Sequence, residues 1–516
     1  MGVDYPVIVV ADVERETAAG GSTPIRTSHI VELAKQTLVY GLSGVALQLV
    51  GVFTLPIFAR VFTPAEFGTL ELGTVLLAIG LAIADMGLAS AVQRSYYDYT
   101  NKQSAERRTV IATALLTTTI AGALVAIVLL ISRDPVASLL FGHAREASLV
   151  AVVALAVPVV NTATFLREAL RLEFRAWHYV ASSILASFVA GGLGVLAVVV
   201  FDMNVRGVFV GLIAGNLLSA VYAGTVLRSD IDRQFSPAEL RIMFKYGLPL
   251  IAVGVGAWAL TLVDRIMLSR LGSLAGVGEY AVANRVANVL LLGVTGFALA
   301  FGPYIFSIYS EDRELERVVR AQTLRYVTIG LAAAGLVLSL FAREIIAVVA
   351  PAFDSAYKAV GLLCLALVAY GMSTVAMAGI SYVRRTELLA IITVAAAGLN
   401  ISLNFALIPP FGMVGAAVAN LAAYALLTAL YYVVAQKLYP TPYELRKLLI
   451  VLTLATSLGV IGLIPIEPLA MAILVKVLAI LTFVGLLRVL HVVMPEEIGR
   501  LRELLGSVRR TAPLER

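Results

Sequence analysis

Four charged residues set within long apolar stretches carry most of the chemistry this sequence can offer: Asp85, Asp264, Arg265 and Arg285. An ionised side chain near the centre of a bilayer costs at least about 2.5–3.5 kcal/mol unless water or a partner meets it. Asp85 lies eight residues before Gln93, about 12 Å from that end of a helix, and an aspartate is too short to reach the interface from there. It is expected to face the protein interior, as a paired packing residue or in a wet cavity. Arg285, with Asn288 one turn further along the same face, offers donors suited to pyrophosphate or sugar hydroxyls, because a guanidinium fork matches phosphate oxygens. The alternative is an inter-helix hydrogen-bond clamp. Asp264 and Arg265 are adjacent, so on a helix they point about 100° apart. They are expected to neutralise neighbouring helices or form part of a gate rather than to pair. Lys476 is assigned a structural or lipid-facing role. Asn161, Asn216, Asn400, Asn404 and Asn420 are expected to join helices.

The machinery of soluble enzymes is missing from the motifs. There is no Gly-Lys-Ser/Thr phosphate loop, no His-Glu-x-x-His and no Cys-x-x-Cys. The four histidines, His29, His143, His178 and His491, are far apart, and the single cysteine, Cys364, forms neither a disulfide nor a thiolate metal site. No cofactor is expected.

The elements that position these charges follow from composition. The chain has 516 residues, 60% hydrophobic and 14% charged, with a mean hydropathy of +0.93, which excludes an ordinary soluble enzyme. Crossing about 30 Å of hydrocarbon takes about 20 mostly apolar residues, and lipid forces them to be helical. Fourteen such spans are expected, near 36–59, 69–93, 109–131, 147–166, 179–201, 207–227, 246–268, 279–308, 324–342, 359–382, 387–408, 413–434, 448–465 and 469–490. Pro409-Pro410-Phe411-Gly412 and Pro465-Ile466-Glu467-Pro468 mark tight returns. The first 34 residues lack the pattern of a cleavable signal peptide.

The net charge of +6 falls in the segments between spans, so nucleic acid is not an expected partner. With a cytoplasmic N-terminus, and residues at span ends counted with their loops, 29 of the 39 Lys and Arg lie inside and 8 outside. That asymmetry places both termini in the cytoplasm. Tyr40-Gly41-Leu42 is echoed by Tyr246-Gly247-Leu248, and Ile57-Phe58-Ala59-Arg60 by Met267-Leu268-Ser269-Arg270. Six spans separate the copies, so two lobes related by an axis along the membrane normal are expected. The chain then divides into a cytoplasmic tail (1–35), an N-lobe (36–227), a linker (228–245), a C-lobe (246–435), helices thirteen and fourteen (436–490) and a cytoplasmic tail (491–516).

Leu55-Pro56-Ile57-Phe58-Ala59-Arg60-Val61-Phe62-Thr63-Pro64-Ala65-Glu66-Phe67-Gly68, followed by Asp85-Met86-Gly87-Leu88 and Arg94, resembles the opening of polysaccharide-transporter flippases of the multidrug/oligosaccharidyl-lipid/polysaccharide export superfamily. Asp264-Arg265-Ile266-Met267-Leu268, Val277-Gly278-Glu279-Tyr280 and Asn400-Ile401-Ser402-Leu403-Asn404 extend the likeness over roughly 36–435. The resemblance implies an all-α integral membrane protein of about fourteen transmembrane helices, with two pseudo-symmetric six-helix lobes around a cavity that opens alternately to either face, plus two C-terminal helices. It implies translocation of a polyprenyl-pyrophosphate-linked oligosaccharide from the cytoplasmic to the outer leaflet of the inner (plasma) membrane. By residue match it carries over Asp85, Arg94, Asp264, Arg265 and Arg285 as cavity residues. The implied partners are the lipid-linked glycan and membrane lipids, with a polysaccharide polymerase, glycosyltransferases and a coupling ion left open.

Two other classes compete. A cation-coupled small-molecule exporter on this architecture calls for a carboxylate-rich cavity, and a membrane glycosyltransferase or polymerase calls for acids on a sizeable outer loop. The orientation has a direct test: a cysteine introduced at Glu467 should be labelled by a membrane-impermeant thiol reagent from outside intact cells, and labelling only after the inner face is exposed would reverse the topology.

Overall fold

The computed structural model describes residues 54–99, 104–232, 234–383 and 385–492, and among these every regular element is helical. Residues 54–61 are the end of the first span. The rest of that span, the N-terminal tail and most of the C-terminal tail lie outside the described residues. The long helices are α1 Pro64–Asp85, α2 Leu88–Asp98, α3 Ser104–Ile131, α4 Ala147–Leu172, α5 Ala176–Val199, α6 Asn204–Val226 and α7 Pro237–Leu271. They continue as α8 Leu274–Ala287, α9 Val289–Glu311, α10 Arg313–Leu340, α11 Tyr357–Ala376, α12 Thr386–Leu438, α13 Leu445–Gly459 and α14 Leu469–Val489. Eleven stretches of the described chain are long and apolar enough to cross a membrane.

Two interruptions depart from the continuous spans expected from hydropathy, and the expected return after Pro409 and Pro410 is present. The second span starts earlier, at Pro64, and breaks at Met86 and Gly87, whose φ angles of 48° and 72° are left-handed. The eighth span divides at Asn288 into α8 and α9. The eleventh and twelfth spans run together as α12, reversed at Gly412 (φ 55°, ψ −131°) just after Pro409 and Pro410. Thr393 and Tyr431 lie on its two arms and meet hydroxyl to hydroxyl at 3.0 Å, so α12 is a hairpin.

By contacts the chain forms two compact units, Met1–Phe62 with Thr69–Val255, and Thr63–Gly68 with Gly256–Arg516. In the first unit α5 and α6 pack backbone to backbone. Gly207, Gly211 and Gly215 are spaced four apart on α6, and a methyl group at Gly211 would lie 2.3 Å from the Gly194 nitrogen. Lipid supplies no hydrophobic drive between helices, so small residues that admit close approach hold such a pair.

In the second unit the first turn of α1 starts with a reciprocal cap. The Thr63 N–H donates to Glu66 Oε2 at 2.9 Å and the Glu66 N–H to Thr63 Oγ1 at 3.3 Å, with Pro64 at the first helical position, where its missing N–H costs nothing. That turn crosses the start of α8 so closely that a methyl at Gly68 would lie 2.0 Å from the Leu274 carbonyl oxygen. The Thr-Pro-x-Glu-x-Gly motif thus starts the helix and lets it cross.

The charged start of α10 sets the interior of the second unit. Glu316 and Arg320 are fully buried, with Nε 3.0 Å from Oε1, and Tyr382 donates to the same carboxylate at 2.9 Å. The Arg320 guanidinium also bonds Thr441 and lies 5.5 and 5.0 Å from the ring centroids of Tyr382 and Tyr439. These contacts tie α10 to the short helix Ala378–Tyr382 and to the α12–α13 connection.

Gly211→Leu should force α5 and α6 apart and cost about 1–3 kcal/mol or more, read as a lowered melting midpoint in detergent. Gly224→Leu, where nothing lies within 4 Å of an added methyl, should leave the midpoint unchanged.

Candidate functional site

The candidate residues fall into separate groups within each unit. In the first unit Asp85 ends α1 and is half-buried, and its Oδ1 accepts the Ala89 N–H at 3.2 Å. The expected inward-facing carboxylate therefore sits at the start of a new helix, where unpaired N–H groups and the positive end of the helix dipole favour a negative charge. Gly87 allows this break to press on α7, since a methyl there would lie 2.4 Å from the Gly247 carbonyl oxygen. Two turns on, the exposed Arg94 guanidinium rests 4.7 Å from the centroid of Tyr246. Beyond α2, Tyr99 donates to Glu239 at 2.5 Å, and that carboxylate pushes the phenol up to about 12. Burial raises Glu173, whose carboxylate accepts the Tyr96 hydroxyl at 2.8 Å.

In the second unit Asp264 is buried on α7. Tyr280 of α8 donates its hydroxyl to Asp264 Oδ2, and the Asn420 amide reaches the same oxygen at 3.4 Å. Arg265 corrects the expectation that these neighbours do not pair: its Nη1 lies 3.6 Å from Asp264 Oδ1. Side chains lean toward a helix's N-terminus, and Arg265 folds back to donate to the Thr261 carbonyl at 2.6 Å, which swings its guanidinium beside Asp264.

Arg285 is half-buried on α8, with its guanidinium 4.7 Å from the centroid of Phe67. Phe67 is fully buried and meets Phe353 edge-on at 5.2 Å, so the face under Arg285 is rigid. Asn288 follows at the α8–α9 break rather than inside one continuous helix, and it is half-buried. The arrangement provides a guanidinium stacked on an aromatic face, a cation whose planar fork matches phosphate oxygens. Among the described residues no group of three or more His, Cys, Asp or Glu gathers to hold a metal.

Lys476 is not lipid-facing. It is 2% exposed and bonds Glu344 of the short helix Ala342–Val349 at 2.5 Å, which is the structural half of its expected role. The expected glue is present where Asn161 donates to the Thr118 carbonyl at 3.0 Å and Asn420 reaches Asp264 at 3.4 Å, whereas the Asn404–Asn400 bond at 3.0 Å runs along a single helix arm.

Sequence reasoning passed over Arg167, which sits on α4 and donates to Asn216 Oδ1, Ser219 Oγ and Thr164 Oγ1 at 3.3, 3.0 and 3.0 Å. It also passed over Glu316 and Arg320, because the ninth span was started at 324 and these charges were left to a loop. Their Glu-to-Arg spacing of four was the available signal.

The family described as polysaccharide biosynthesis protein matches residues 33–309. The probable low-salt glycan biosynthesis flippase Agl15 of Haloferax volcanii is 22% identical over 410 residues, which span 78% of this chain and 83% of that protein. Among solved structures, the lipid II flippase MurJ in an inward closed conformation superposes with a TM-score of 0.68 at 16% identity, over 88% of this chain and 99% of that one. An inward-facing MATE family multidrug resistance transporter of the MOP superfamily gives a TM-score of 0.62 at 16% identity, over 76% and 94% of the two chains.

Asp264→Ala should destabilise the protein by about 3–5 kcal/mol, since it removes the buried carboxylate that Tyr280 and Arg265 meet. Asp264→Asn, which keeps an acceptor for Tyr280, should lose less. Thermal unfolding in detergent ranks the two against wild type, and a wild-type midpoint for Asp264→Asn would show that the charge pair contributes nothing.

Proposed function

The chain belongs to the polysaccharide biosynthesis protein family, and from that membership we propose that it is a flippase moving a polyprenyl-pyrophosphate-linked oligosaccharide from the cytoplasmic to the outer leaflet, in cell-surface polysaccharide biosynthesis. It is a multi-pass membrane protein, and its relatives are named as flippases and transporters rather than enzymes. The inner membrane is its proposed location, with both termini cytoplasmic, supported by the basic-residue asymmetry.

One observation carries the substrate reading: Arg285, in the eighth apolar run expected from the sequence, holds its guanidinium 4.7 Å from the ring centroid of the buried Phe67. A cation held there suits an alternating-access path, in which water and a charged substrate meet it in turn. Arg285 binds the carrier's pyrophosphate, Asn288 offers amide bonds to phosphate or sugar, and Arg94 adds a second positive site. Asp85 tunes affinity or coupling. The prenyl tail stays in lipid.

The alternative, a cation-coupled small-molecule exporter, draws on the MATE likeness and on the oxygen cluster of Asp264, Tyr280 and Asn420. A glycan polymerase or glycosyltransferase working beside this protein would be a partner of the flippase reading alone.

The test is complementation of a flippase-deficient strain at matched protein abundance. Arg285→Lys keeps the charge and loses the planar fork, so export should fall partially, and Arg285→Ala should fall further, by about 10-fold or more if a charge-assisted phosphate contact of 1.5–3 kcal/mol is lost. Asp85→Asn should reduce export at unchanged abundance. Wild-type export by both Arg285 variants would reject the site.

A further inference from the structure

The second unit holds an open-sided cavity of about 420 Å³ lined mainly by α10, α11 and α13, with Val414 of α12 at its edge. Its walls are apolar and its floor is built of small residues, Ala332, Gly335, Gly361, Ala455 and Gly459 among them. The two aliphatic hydroxyls that border it bond back into their own protein neighbourhood: Ser339 Oγ donates toward the Gly459 carbonyl at 3.4 Å and Thr456 Oγ1 to the Leu452 carbonyl at 2.8 Å. The cavity therefore has carbon to offer and little to bind water, and apolar cavities of this kind accept hydrocarbon.

Its length and its one charged end identify the hydrocarbon. Lining residues on α11 run from Tyr357 and Lys358 at the helix start to Val368, ten residues deeper. Ten residues of helix are about 15 Å, half of a hydrocarbon core of about 30 Å. The cavity thus matches the depth of one leaflet. At the shallow end Lys358 is exposed, and among the described residues no carboxylate lies within ion-pair distance of it. Tyr357 beside it is the kind of side chain that settles at the headgroup level.

We propose that this cavity is a binding site for one anionic phospholipid, with an acyl chain along the α10–α11–α13 groove and the phosphate on Lys358. A polyprenyl tail much longer than one leaflet's depth overruns the groove, which favours an ordinary membrane lipid as its occupant. The bound chain would fill the space between α13 and the body of the second unit. The site rests on residues separate from Arg285 and does not depend on the transport reading.

The test uses the full-length protein in nanodiscs of equal phosphatidylcholine and phosphatidylglycerol with matched acyl chains, released into detergent and weighed by native mass spectrometry. Wild type should retain one phosphatidylglycerol in preference to phosphatidylcholine. Lys358→Gln should reduce that preference about fivefold, the usual effect of one lysine near an anionic headgroup, with an unchanged melting midpoint. Gly459→Leu should reduce retention of both lipids. Residue 459 has ordinary helical angles (φ −62°, ψ −28°) and an added methyl would meet Ser339 Oγ at 3.4 Å, so the new side chain is accommodated and enters the groove. Retention that follows bulk composition in wild type, a preference unmoved by Lys358→Gln, or retention unmoved by Gly459→Leu would overturn the proposal. So would displacement of phosphatidylglycerol by equimolar undecaprenyl phosphate, which would make the groove a carrier-lipid site.

Discussion

Hydrocarbon offers no hydrogen-bond partner, and the rest of this structure depends on that constraint. Backbone groups in lipid must be satisfied within their own segment, hence the helices. Side-chain charges within those helices must find partners in the protein or meet water. The second unit answers with partners: Glu316 with Arg320 and Tyr382, Asp264 with Tyr280 and Arg265, Glu344 with Lys476. Each links a charge on one helix to a residue elsewhere in the chain, so each fixes how those helices sit. Ion pairs of this kind contribute little to net stability once desolvation is counted, but breaking one leaves an expensive orphan. They specify the packing more than they strengthen it.

Where charges are not paired with opposite charges, the helices themselves are interrupted or neutral groups take over. Asp85 sits at the break between α1 and α2 and accepts a backbone N–H of the restarting helix. Arg167 collects three neutral oxygens. A charge held by neutral acceptors, a helix end or an aromatic face keeps capacity for another ligand, which a tight ion pair does not. Arg320, by contrast, is committed to Glu316 and to the tyrosines around it.

Close backbone approach is the second device. The α5–α6 contact at Gly211, the α1–α8 crossing at Gly68 and the approach of Gly87 to Gly247 each bring main chains to distances that a single methyl group would prevent. The last two lie beside candidate site residues, Phe67 under Arg285 and Asp85 before the break. The motifs that marked the family resemblance are thus partly motifs of helix crossing, with the functional side chains carried at fixed offsets from the crossing points.

The sequence by itself determined the class of molecule, most of the spans and the identity of the conspicuous charges. Those properties are local: about 20 apolar residues form a spanning helix whatever surrounds them, and a charge among them is costly wherever it points. It also showed the return at Gly412, because proline and glycine act on their own backbone. Partners were decided only by the tertiary structure. Asp264 and Arg265 pair because a long side chain folds back along its helix, and Lys476 is buried because a short helix 132 residues away brings Glu344 to it. The break at Met86 and Gly87 was equally hidden, since the apolar run continues through it and the backbone it packs against, at Gly247, is far away in the chain. Hydropathy reports how deep a residue lies in the membrane. Which side chain it meets there depends on contacts between segments far apart in the chain, and no local pattern records them.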